Sequence, residues 1–584
     1  MKKTIRYIGY ILRDCRRAFP VFFAMNLGVD AVRAATAVMQ PLLLARILEL
    51  AGGAPAAEEG RLAGAIALYG LCLVCGPVAD AMFRSGSKNA RVRAEKYFGN
   101  QMTAFSAKIR LEALENPETL DKFGRANASM TNQIEFFEQM LFLSRSAVTC
   151  IGLMAVVGRY SPVLVFTGLF ALCPGLLSKI YFEKRLTAFR RSQSSVLRRS
   201  AYLRGLFSRK ESVREMRVMG FGEYLTDKWK ETNAERARDY RKMNLDISKK
   251  QVWGIIVLNL CYAFNIGLSF YLMAAGRISM GAFAACLSAF TAYDGALGNL
   301  IAIMFGIVHT YHIAEDYYDY FTIPTEEDGT EQYRPFQNRI SVRNVRFRYS
   351  GSSEEALRGL DCEIKKGEHV VIVGENGSGK TTFSKLLTGV YLPAEGEVLY
   401  DGQRTDRLCR KSLYRHISAV QQKFVRYRFS LRENIGISDV ARMGDTAAME
   451  QLLRRVAGED FLKRVGGLDV QLGREFNGLE LSGGEWQKVA IARGLWKDSD
   501  IVVLDEPTSA LDPLVEYDIL SKFAEMIRGK TSVIISHRVG ICRAADRIIV
   551  MKEGRVAECG KHQELLQTGG EYARIWREQA KWYE

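Results

Sequence analysis

The segment LSGGEWQ, at residues 481–487, lies between two other conspicuous segments of this 584-residue chain. GENGSGKTT, at residues 374–382, precedes it and matches the phosphate-loop pattern in full. IVVLDE, at residues 501–506, follows it and is a hydrophobic run that ends in two carboxylates. A phosphate loop alone predicts only that a nucleotide binds. Its order with the other two segments predicts a complete nucleotide site in the second half of the chain.

Three apolar runs in this half each end in a polar group. Residues 370–373, 501–504 and 533–535 lead into Gly374, Asp505 and Ser536-His537 respectively. Continuous apolar runs are typical of buried parallel strands. Ligands of open α/β sheets bind outside the carboxyl ends of such strands. The three strand ends are therefore predicted to meet at one nucleotide.

The phosphate loop supplies most of the candidate ATP ligands. Its glycines let backbone N–H groups turn toward phosphate oxygens, and the following helix adds the positive end of its dipole. Lys380 is expected to reach the β- and γ-phosphates, and the Thr381 hydroxyl is expected to bind Mg²⁺. The full set of candidates in this loop is Gly374, Asn376, Gly377, Ser378, Gly379, Lys380, Thr381 and Thr382.

Two carboxylates and one histidine are the candidate groups for hydrolysis. Asp505 is expected to hold the Mg²⁺ shell, and the adjacent Glu506 is placed to orient or deprotonate the attacking water. His537 ends a strand in register with the other two and is expected to contact the γ-phosphate. The predicted ligands of the site are therefore ATP and Mg²⁺.

Taken together, these segments resemble the ATPase domain of an ABC transporter. The resemblance covers nearly the whole chain and is strongest at residues 345–584. It implies that Tyr349 stacks on adenine, as an aromatic ring can. It also implies that Gln422 reaches Mg²⁺ and the attacking water, a role for which the neighbouring Gln421 competes.

The resemblance gives residues 481–487 a role across a subunit interface. Ser482, Gly483 and Gly484 resemble the signature that caps the γ-phosphate of an opposite subunit, where a small hydroxyl and bare backbones allow close approach. Residues 509–512 resemble the loop that links the two sites, which adds Asp512 to the ATP ligands. Glu485 stands where the family usually has Gln. The implied partner is a second ABC half-transporter, either another copy of this chain or a related one.

The first half of the chain contains six candidate membrane spans of about 20 mostly apolar residues. They are residues 19–50, 62–83, 137–157, 162–182, 252–275 and 280–308. Long charged segments, 84–136 and 183–251, alternate with short links, so that the long segments lie on one side with both termini. Because basic residues concentrate in 184–250, this side is predicted to be cytoplasmic.

Composition limits the other classes of function. The net charge of +16 arises largely between hydrophobic blocks, and no nucleic-acid-binding module is present, so nucleic acid is not a predicted partner. Cys72 and Cys75 have the spacing of a redox or metal pair, but they are interpreted as two small apolar residues of a membrane helix. Residues 1–17 are predicted to form an amphipathic helix on the membrane surface.

Five of the charged residues inside the predicted spans stand out: Asp30, Arg33, Asp80, Arg145 and Asp294. Such charges are expensive in a membrane and often mark polar cavities. One interpretation is a polar substrate path. The other is pairing, for example of Asp30 with Arg33 about one helical turn away. The sequence favours neither. Residues 115–119 and 210–217 resemble the segments through which the membrane half of ABC exporters touches the ATPase domain.

The predicted fold is an α-helical six-helix transmembrane domain with long cytoplasmic helical extensions, followed by an α/β P-loop NTPase domain. The predicted boundaries are 1–322 for the membrane domain, 323–339 for a linker and 340–584 for the ATP-binding domain. The predicted protein is a multi-pass exporter of the cell membrane with cytoplasmic termini. Its cargo would be a peptide, lipid-like or other amphipathic compound.

Three alternatives remain at this stage. The first is an importer with exporter-type architecture, as in siderophore uptake. The second is an ATP-gated regulatory or channel-like protein, which the presence of Glu506, Ser482 and His537 disfavours. The third is a soluble ATPase that acts on DNA or ribosomes, which the six apolar segments disfavour.

Overall fold

The computed structural model describes residues 2–53, 59–170, 192–507, 529–537 and 539–580, together with 177, 181–182, 185–186, 189 and 525–526. The chain divides into two compact units. The helical unit contains Met1–Ala107 and Asp121–Thr322, and the α/β unit contains Lys108–Leu120 and Ile323–Glu584. The domain boundaries stay a prediction, but the grouping of Lys108–Leu120 with the α/β unit differs from them.

The described residues of the helical unit are almost entirely α-helical. Its helices are α1 (Lys2–Ala18), α2 (Pro20–Gly53), α3 (Glu59–Ser106), α5 (Pro117–Ser129), α6 (Asn132–Tyr160), α7 (Pro162–Phe170), α8 (Ser194–Leu206), α9 (Lys210–Met219), α10 (Gly222–Ala274) and α11 (Met280–Tyr320). Helix α4 (Leu111–Leu114) precedes α5 in the chain and lies in the α/β unit, to which the first four residues of α5 also belong. The Ser279 hydroxyl caps α11 by accepting a hydrogen bond from the backbone N–H of Ala282 at 3.0 Å.

Five of these helices, α2, α3, α6, α10 and α11, are long and apolar enough to cross a membrane. They contain five of the six predicted spans. The other predicted span, 162–182, begins as α7, and most of its remaining residues lie outside the described part of the chain. The count of six spans therefore stays a prediction, while the membrane character of this unit is clear from the five.

Helix α1 has the predicted amphipathic pattern, but its apolar face packs on protein. Ile11 and Cys15 are buried, and the Tyr7 hydroxyl donates a hydrogen bond to Asp319 at 2.8 Å. The Cys15 thiol lies 3.8 Å from the backbone oxygen of Gln133. The described part of α1 is thus anchored to α6 and α11 by this face.

The α/β unit contains two sheets. Its strands are β1 (Arg339–Phe347), β2 (Leu357–Lys365), β3 (His369–Gly374), β4 (Glu395–Tyr400), β5 (Gln403–Arg404), β6 (Ile417–Val420), β7 (Ile501–Asp505), β8 (Thr531–Ile535), β9 (Arg547–Lys552) and β10 (Arg555–Gly560). The smaller sheet has the order β2-β1-β4-β5 and is antiparallel. The larger has the order β10-β9-β3-β8-β7-β6, and strands β9 to β6 are parallel.

The three apolar runs of the sequence are β3, β8 and β7, which are neighbours in the larger sheet. The prediction of buried parallel strands is therefore confirmed. Alternate residues of these strands face two separate apolar clusters: Val371 and Val502 belong to one, and Val370 and Val503 belong to the other. Both faces of the sheet are covered, which is why the runs are continuously apolar.

Helices cover the sheet and position its loops. In chain order they are α12 (Lys380–Leu387), α13 (Arg410–His416), α14 (Leu431–Gly436), α15 (Thr446–Ala457), α16 (Glu459–Val465), α17 (Gly483–Trp496), α18 (His562–Thr568) and α19 (Glu571–Ala580). Trp486 in α17 is completely buried in the first apolar cluster. Burial of a large side chain contributes about 1.5–3 kcal/mol. Trp486 thereby fixes the helix that begins directly after Ser482.

The segment Lys108–Leu120 groups with the α/β unit through backbone contacts. The N–H of Glu326 donates to the carbonyl of Lys108 at 2.7 Å, and the N–H of Arg110 donates to the carbonyl of Pro324 at 3.2 Å. The Leu111 side chain packs against the second apolar cluster. The sequence prediction assigned this segment to the membrane domain because chain order does not show such long-range pairing.

Candidate nucleotide site

The phosphate loop joins β3 to α12, and close packing requires glycine at two of its positions. Gly374 has a φ of +154°, and a Cβ there would lie 2.2 Å from the carbonyl oxygen of Met551. Gly379 has a φ of +97°, and its Cβ would lie 2.7 Å from the carbonyl oxygen of Ala356. Gly377 faces open space but has a φ of +82°, which disfavours any side chain.

Lys380 is buried and folds back over the loop. Its ammonium donates hydrogen bonds to the carbonyls of Gly374 at 2.8 Å and Glu375 at 2.7 Å. Burial lowers the pKa of this ammonium, and the nearby carboxylates of Glu506 and Asp505 oppose that shift. The cation is thus held at the start of α12, where a phosphate would also meet the helix N-terminus.

The loop passes a test of fit for phosphate. The Ser378 hydroxyl oxygen is buried and has no hydrogen-bond partner in the described structure. A buried hydroxyl without a partner is costly unless a ligand or water completes it. Phosphate oxygens accept hydrogen bonds and would supply the missing partner. Asn376 lies exposed at the tip of the same loop.

Thr381 and Asp505 meet where Mg²⁺ was predicted. The Thr381 hydroxyl donates to the Asp505 carboxylate at 3.3 Å, and both line a cavity of about 290 Å³ together with Gln422. Burial raises the pKa of Asp505. Oxygen ligands suit Mg²⁺, which usually keeps several waters and binds phosphate oxygens in addition to one or two carboxylates. These residues therefore fit the ion.

Glu506 is held by contacts with two of the predicted residues. The Gln422 amide donates to one carboxylate oxygen at 2.6 Å, and His537 Nδ1 lies 3.5 Å from the other. Glu506 itself has a φ of +46°, and its N–H donates to the carbonyl of Ile535 at 3.0 Å. A non-glycine residue in this region of φ is strained and typical of functional sites. Of the two candidate glutamines, Gln422 is the one in hydrogen-bond contact with Glu506.

Tyr349 lies beside the first turn of α12. Its hydroxyl is 3.0 Å from the Thr382 hydroxyl, and its ring meets the rings of Phe347 and Tyr391 at steep angles. The Lys385 ammonium lies 5.2 Å from the centroid of the Tyr349 ring. This contact is typical of a cation–π interaction.

Two residues that sequence reasoning missed, Tyr391 and Lys385, extend this cluster to the segment Lys108–Leu120. The Tyr391 hydroxyl donates to the Glu115 carboxylate, and the Lys385 ammonium lies 3.8 Å from the same carboxylate. Glu115 belongs to residues 115–119, which the resemblance implied would touch the ATPase domain. The identity of its partners was not visible because they lie far along the chain. Residues 210–217, in α9, belong to the helical unit.

The signature serine caps α17 through a reciprocal capping box. The Ser482 hydroxyl accepts from the Glu485 N–H at 3.4 Å, while the Glu485 carboxylate accepts from the Ser482 N–H at 2.8 Å. Glu485 also forms an ion pair with Arg464. The S-x-x-E spacing could have predicted this box from sequence. It explains the structural role of Glu485 at a position where the family usually has Gln.

Packing among the residues that the structure describes does not explain why position 483 of the signature is glycine. A Cβ on Gly483 would meet nothing within 4 Å, and its φ is not left-handed. Gly484 follows it in the first turn of α17. Among the residues that the structure describes, no hydrogen bond joins the signature to the phosphate loop. Asp512 lies outside the described residues.

Comparison with known proteins identifies the family. Residues 357–509 match the family model described as ABC transporter. The chain is 30% identical over 490 residues to the subtilin transport ATP-binding protein of Bacillus subtilis, an alignment that covers 80% of this chain and 77% of that protein. This chain belongs to the ABC transporters.

Other relatives and one solved structure agree with this assignment. The nisin transport ATP-binding protein of Lactococcus lactis is 30% identical over 66% of this chain and 65% of its own length. The ATP-dependent lipid A-core flippase of Hahella chejuensis is 32% identical over 62% of each. The fold matches that of a bacterial Atm1-family ABC exporter with ATP bound, with a TM-score of 0.80 at 24% identity over 97% of this chain and 98% of that one.

The family assignment confirms the predicted class of protein. This ABC transporter has the half-transporter organisation of exporters, with one unit of apolar helices and one ATP-binding unit. It binds ATP and is an ATPase coupled to transport across a membrane. The roles of the individual site residues stay predictions.

Replacement of Glu485 by the family's usual residue is expected to strengthen ATP binding. In Glu485→Gln, an amide keeps the capping geometry but removes a negative charge beside Ser482. The carboxylate of Glu485 would repel a phosphate of ATP that approaches Ser482. Two charges about 4 Å apart interact by about 1 kcal/mol in water, so removal of this repulsion should lower the KM for ATP by no more than about fivefold. Loss of the partly exposed pair with Arg464 should lower stability by no more than about 1 kcal/mol.

The control for this prediction is a second capping box in the same unit. Ser430 and Glu433 form it at the start of α14, where the Glu433 carboxylate accepts from the Ser430 N–H at 2.9 Å. Glu433→Gln should leave the KM for ATP unchanged. A KM for Glu485→Gln equal to or above that of the parent would contradict the charge argument. ATPase rates against ATP concentration and thermal unfolding measure both effects.

Proposed function

We propose that the protein works with a second half-transporter subunit in the cell membrane and exports an amphipathic compound, such as a peptide or a lipid-like molecule. The observation that carries the dimer is the separation of functional groups. Lys380, Asp505 and Glu506 surround one loop end, whereas Ser482 lies at the start of α17 beside an open Gly483. A small, uncovered helix N-terminus suits a phosphate that another subunit holds.

Export of an amphipathic compound is supported by the relatives. Their names describe transport of subtilin and nisin and flipping of lipid A core. The basic segment 184–250 supports a cytoplasmic position for the long connections, both termini and the α/β unit. ATP would then bind on the cytoplasmic side of the cell membrane.

In the proposed mechanism, different residues bind the phosphates, the Mg²⁺ ion and the adenine of ATP. Lys380 would exchange its contacts with the carbonyls of Gly374 and Glu375 for the β- and γ-phosphates. Thr381, Asp505 and Gln422 would hold Mg²⁺, which neutralises charge on the phosphates when bound. Tyr349 would stack on adenine, and Asp512 would link the two sites.

Hydrolysis would depend on how Glu506 is held. Gln422 and His537 contact its two carboxylate oxygens, so that the carboxylate is oriented before ATP arrives. Glu506 would then accept a proton from the attacking water, while His537 contacts the γ-phosphate. Ser482, Gly483 and Gly484 of the second subunit would close the site.

Mixed dimers test the shared site. Two differently tagged copies carry Lys380→Ala and Ser482→Arg, either on separate chains or together on one chain whose partner is unaltered. If each site combines a phosphate loop with the other subunit's signature, lesions on separate chains leave one site intact. Lesions together on one chain damage both sites. The first arrangement should therefore hydrolyse ATP and the second should not, measured in nanodiscs after purification through both tags.

The opposite pattern would overturn the shared site, because sites within one chain survive only in the second arrangement. Failure of the tagged copies to co-purify would overturn the homodimer and leave a related chain as the partner. Direction is measured with inside-out vesicles. ATP-dependent accumulation of a peptide or lipid-like amphiphile corresponds to export, and ATP-dependent loss of a preloaded one would contradict it.

A further inference from the structure

Four charged side chains form one network among α2, α3 and α6 of the helical unit. The Asp30 carboxylate lies 3.0 Å from a guanidinium nitrogen of Arg145 and 3.5 Å from one of Arg33. Arg33 also forms an ion pair with Asp80. Pairing of Asp30 with Arg33 is one of the two interpretations that the sequence left open, and the structure adds Arg145 as the nearer partner of Asp30. The four formal charges cancel.

Packing alone does not account for this network. The side chains of Asp30, Arg33 and Arg145 are only 11%, 10% and 13% exposed. Replacing a buried ion pair with apolar residues is often neutral or stabilising. Charges within membrane segments are rare and usually face a polar pathway or cavity. The network should therefore have a function beyond holding the helices together.

A cavity of about 380 Å³ adjoins the network. Its charged and polar lining includes Arg33, Asp80, Arg145, Thr291 and Asn299, and Gly295 on α11 also lines it. Cavities of about 300–1,000 Å³ are typical for small molecules. This one accommodates a polar group, because its wall carries guanidinium, hydroxyl and amide groups.

The wall of the cavity has an excess of positive charge. Among the described residues, two guanidinium groups and one carboxylate, that of Asp80, line it, and Asp30 is not a lining residue. The Asp80 side chain is 48% exposed, so solvation can replace its contact with Arg33 at modest cost. The buried contact of Asp30 is much less replaceable.

Some N–H donors of the two arginines have no acceptor among the described residues. A guanidinium carries five N–H donors. Arg145 makes one hydrogen bond, to Asp30, within the described residues. Arg33 Nε is buried and has no acceptor there. An acceptor with two or more oxygens would satisfy such donors.

We infer that this cavity binds an oxyanion, a carboxylate or phosphate, of the transported compound. Arg145 and Arg33 bind it, and Asp80 competes with it for Arg33. The planar fork of arginine matches the oxygens of carboxylate and phosphate. The inference rests on the proposed transport function and names the chemical class of its substrate.

Binding of matched amphiphiles tests the inference. The probes are decyl phosphate, decanoate, decyltrimethylammonium and decyl maltoside, which share a ten-carbon chain. Saturable binding to the full-length protein is measured without ATP in nanodiscs of zwitterionic lipid, after subtraction of binding to empty discs. Decyl phosphate, decanoate or both should bind at least about tenfold more tightly than the other two, as expected for charge-assisted hydrogen bonds. The preferred anion identifies phosphate or carboxylate as the head group.

A pair of glycine variants separates the cavity from the fold. A Cβ on Gly295 or on Gly298 would meet nothing within 4 Å, and only Gly295 lines the cavity. Gly295→Leu should fill the cavity and weaken binding of the anionic probe by at least about tenfold, since a lost charged hydrogen bond costs that much. Gly298→Leu, on the same helix, should bind as the parent does.

Charge variants should have opposite effects. Asp80→Asn removes the competing carboxylate and should tighten binding about three- to tenfold, whereas Arg145→Gln should weaken it by at least about tenfold. A purely structural network would be damaged by both changes. Thermal unfolding of each variant shows whether it is folded, and Asp80→Asn and Gly295→Leu keep the test valid if Arg145→Gln does not fold.

Specific results would overturn the inference. They are equally tight binding of the cationic or neutral probe, parent-like binding by Gly295→Leu, or weaker binding by folded Asp80→Asn. The proposed function fails separately. If oxyanion binding follows these expectations but no amphiphile is moved by ATP, the transport proposal falls and the binding site stands. If ATP moves amphiphiles that bind without an oxyanion, only the inference falls.

Discussion

Glu506→Gln should reduce the turnover number for ATP by about 10²–10⁴-fold, the usual contribution of a general base. The substitution keeps the size of the side chain and an oxygen that accepts from the Gln422 amide, now 2.6 Å away. It removes the group that would take a proton from water. ATP binding should persist because Lys380 and the phosphate loop are untouched. Phosphate release and calorimetric ATP binding measure the two properties in one preparation.

The control is the same substitution on an exposed carboxylate of the same unit. Glu395 lies at the start of β4, and its side chain is 72% exposed. Glu395→Gln should hydrolyse ATP as the parent does. If Glu506→Gln also hydrolysed ATP at the parent rate, its assignment as the base would be wrong. If it lost ATP binding, its role would instead be structural.

Sequence alone was sufficient for three of the six strands of the larger sheet, because a local signal encodes them. Each of β3, β7 and β8 contains a short apolar run that leads into the predicted site at its carboxyl end. Burial on both faces of a parallel sheet imposes that pattern. The convergence of the strand ends followed from topology. The proximity of His537 and Glu506 is consistent with that convergence, although the sequence predicted a contact of His537 with the γ-phosphate and did not predict this pair. The hydrogen bond that favours Gln422 over Gln421 was visible only in the structure.

Contacts between distant segments were not available from local patterns. Asp30 and Arg33 are one helical turn apart, so their pairing could be suggested from spacing. Arg145 is the nearer partner of Asp30 because α2 packs against α6, and no periodicity in either helix specifies that register. The same reason explains why the partners of Glu115 were missed. By contrast, the S-x-x-E spacing of Ser482 and Glu485 is a local pattern from which their capping box could have been predicted.

Gly483→Asp should abolish ATP hydrolysis by this chain while leaving its fold intact. Position 483 is the first residue of α17, and a side chain there would meet nothing within 4 Å. An acidic residue in the first turn favours a helix by about 0.3–1 kcal/mol. Stability should therefore be unchanged or slightly raised, as thermal unfolding would show.

ATPase activity should fall although stability does not, because the proposed site of the partner subunit includes Gly483. If the γ-phosphate held by another subunit approaches Gly483, the new carboxylate would face it at close range. Like charges about 4 Å apart repel by about 4 kcal/mol at an effective dielectric constant of 20, and this predicts at least about a hundredfold loss of ATPase activity. Gly444→Asp adds the same charge at another glycine in open space and should keep the parent rate.

A second glycine of α17 provides the contrast that makes this result specific. A Cβ on Gly494 would lie 2.5 Å from a methyl carbon of Val420, so Gly494→Ala should lower the unfolding temperature. Gly494 is thus required by packing, whereas no described residue imposes such a requirement on Gly483. Normal stability with lost hydrolysis in Gly483→Asp would mean that glycine is needed there for an approaching ligand. Parent-like hydrolysis by a stable Gly483→Asp protein would instead show that no phosphate approaches α17 at this position.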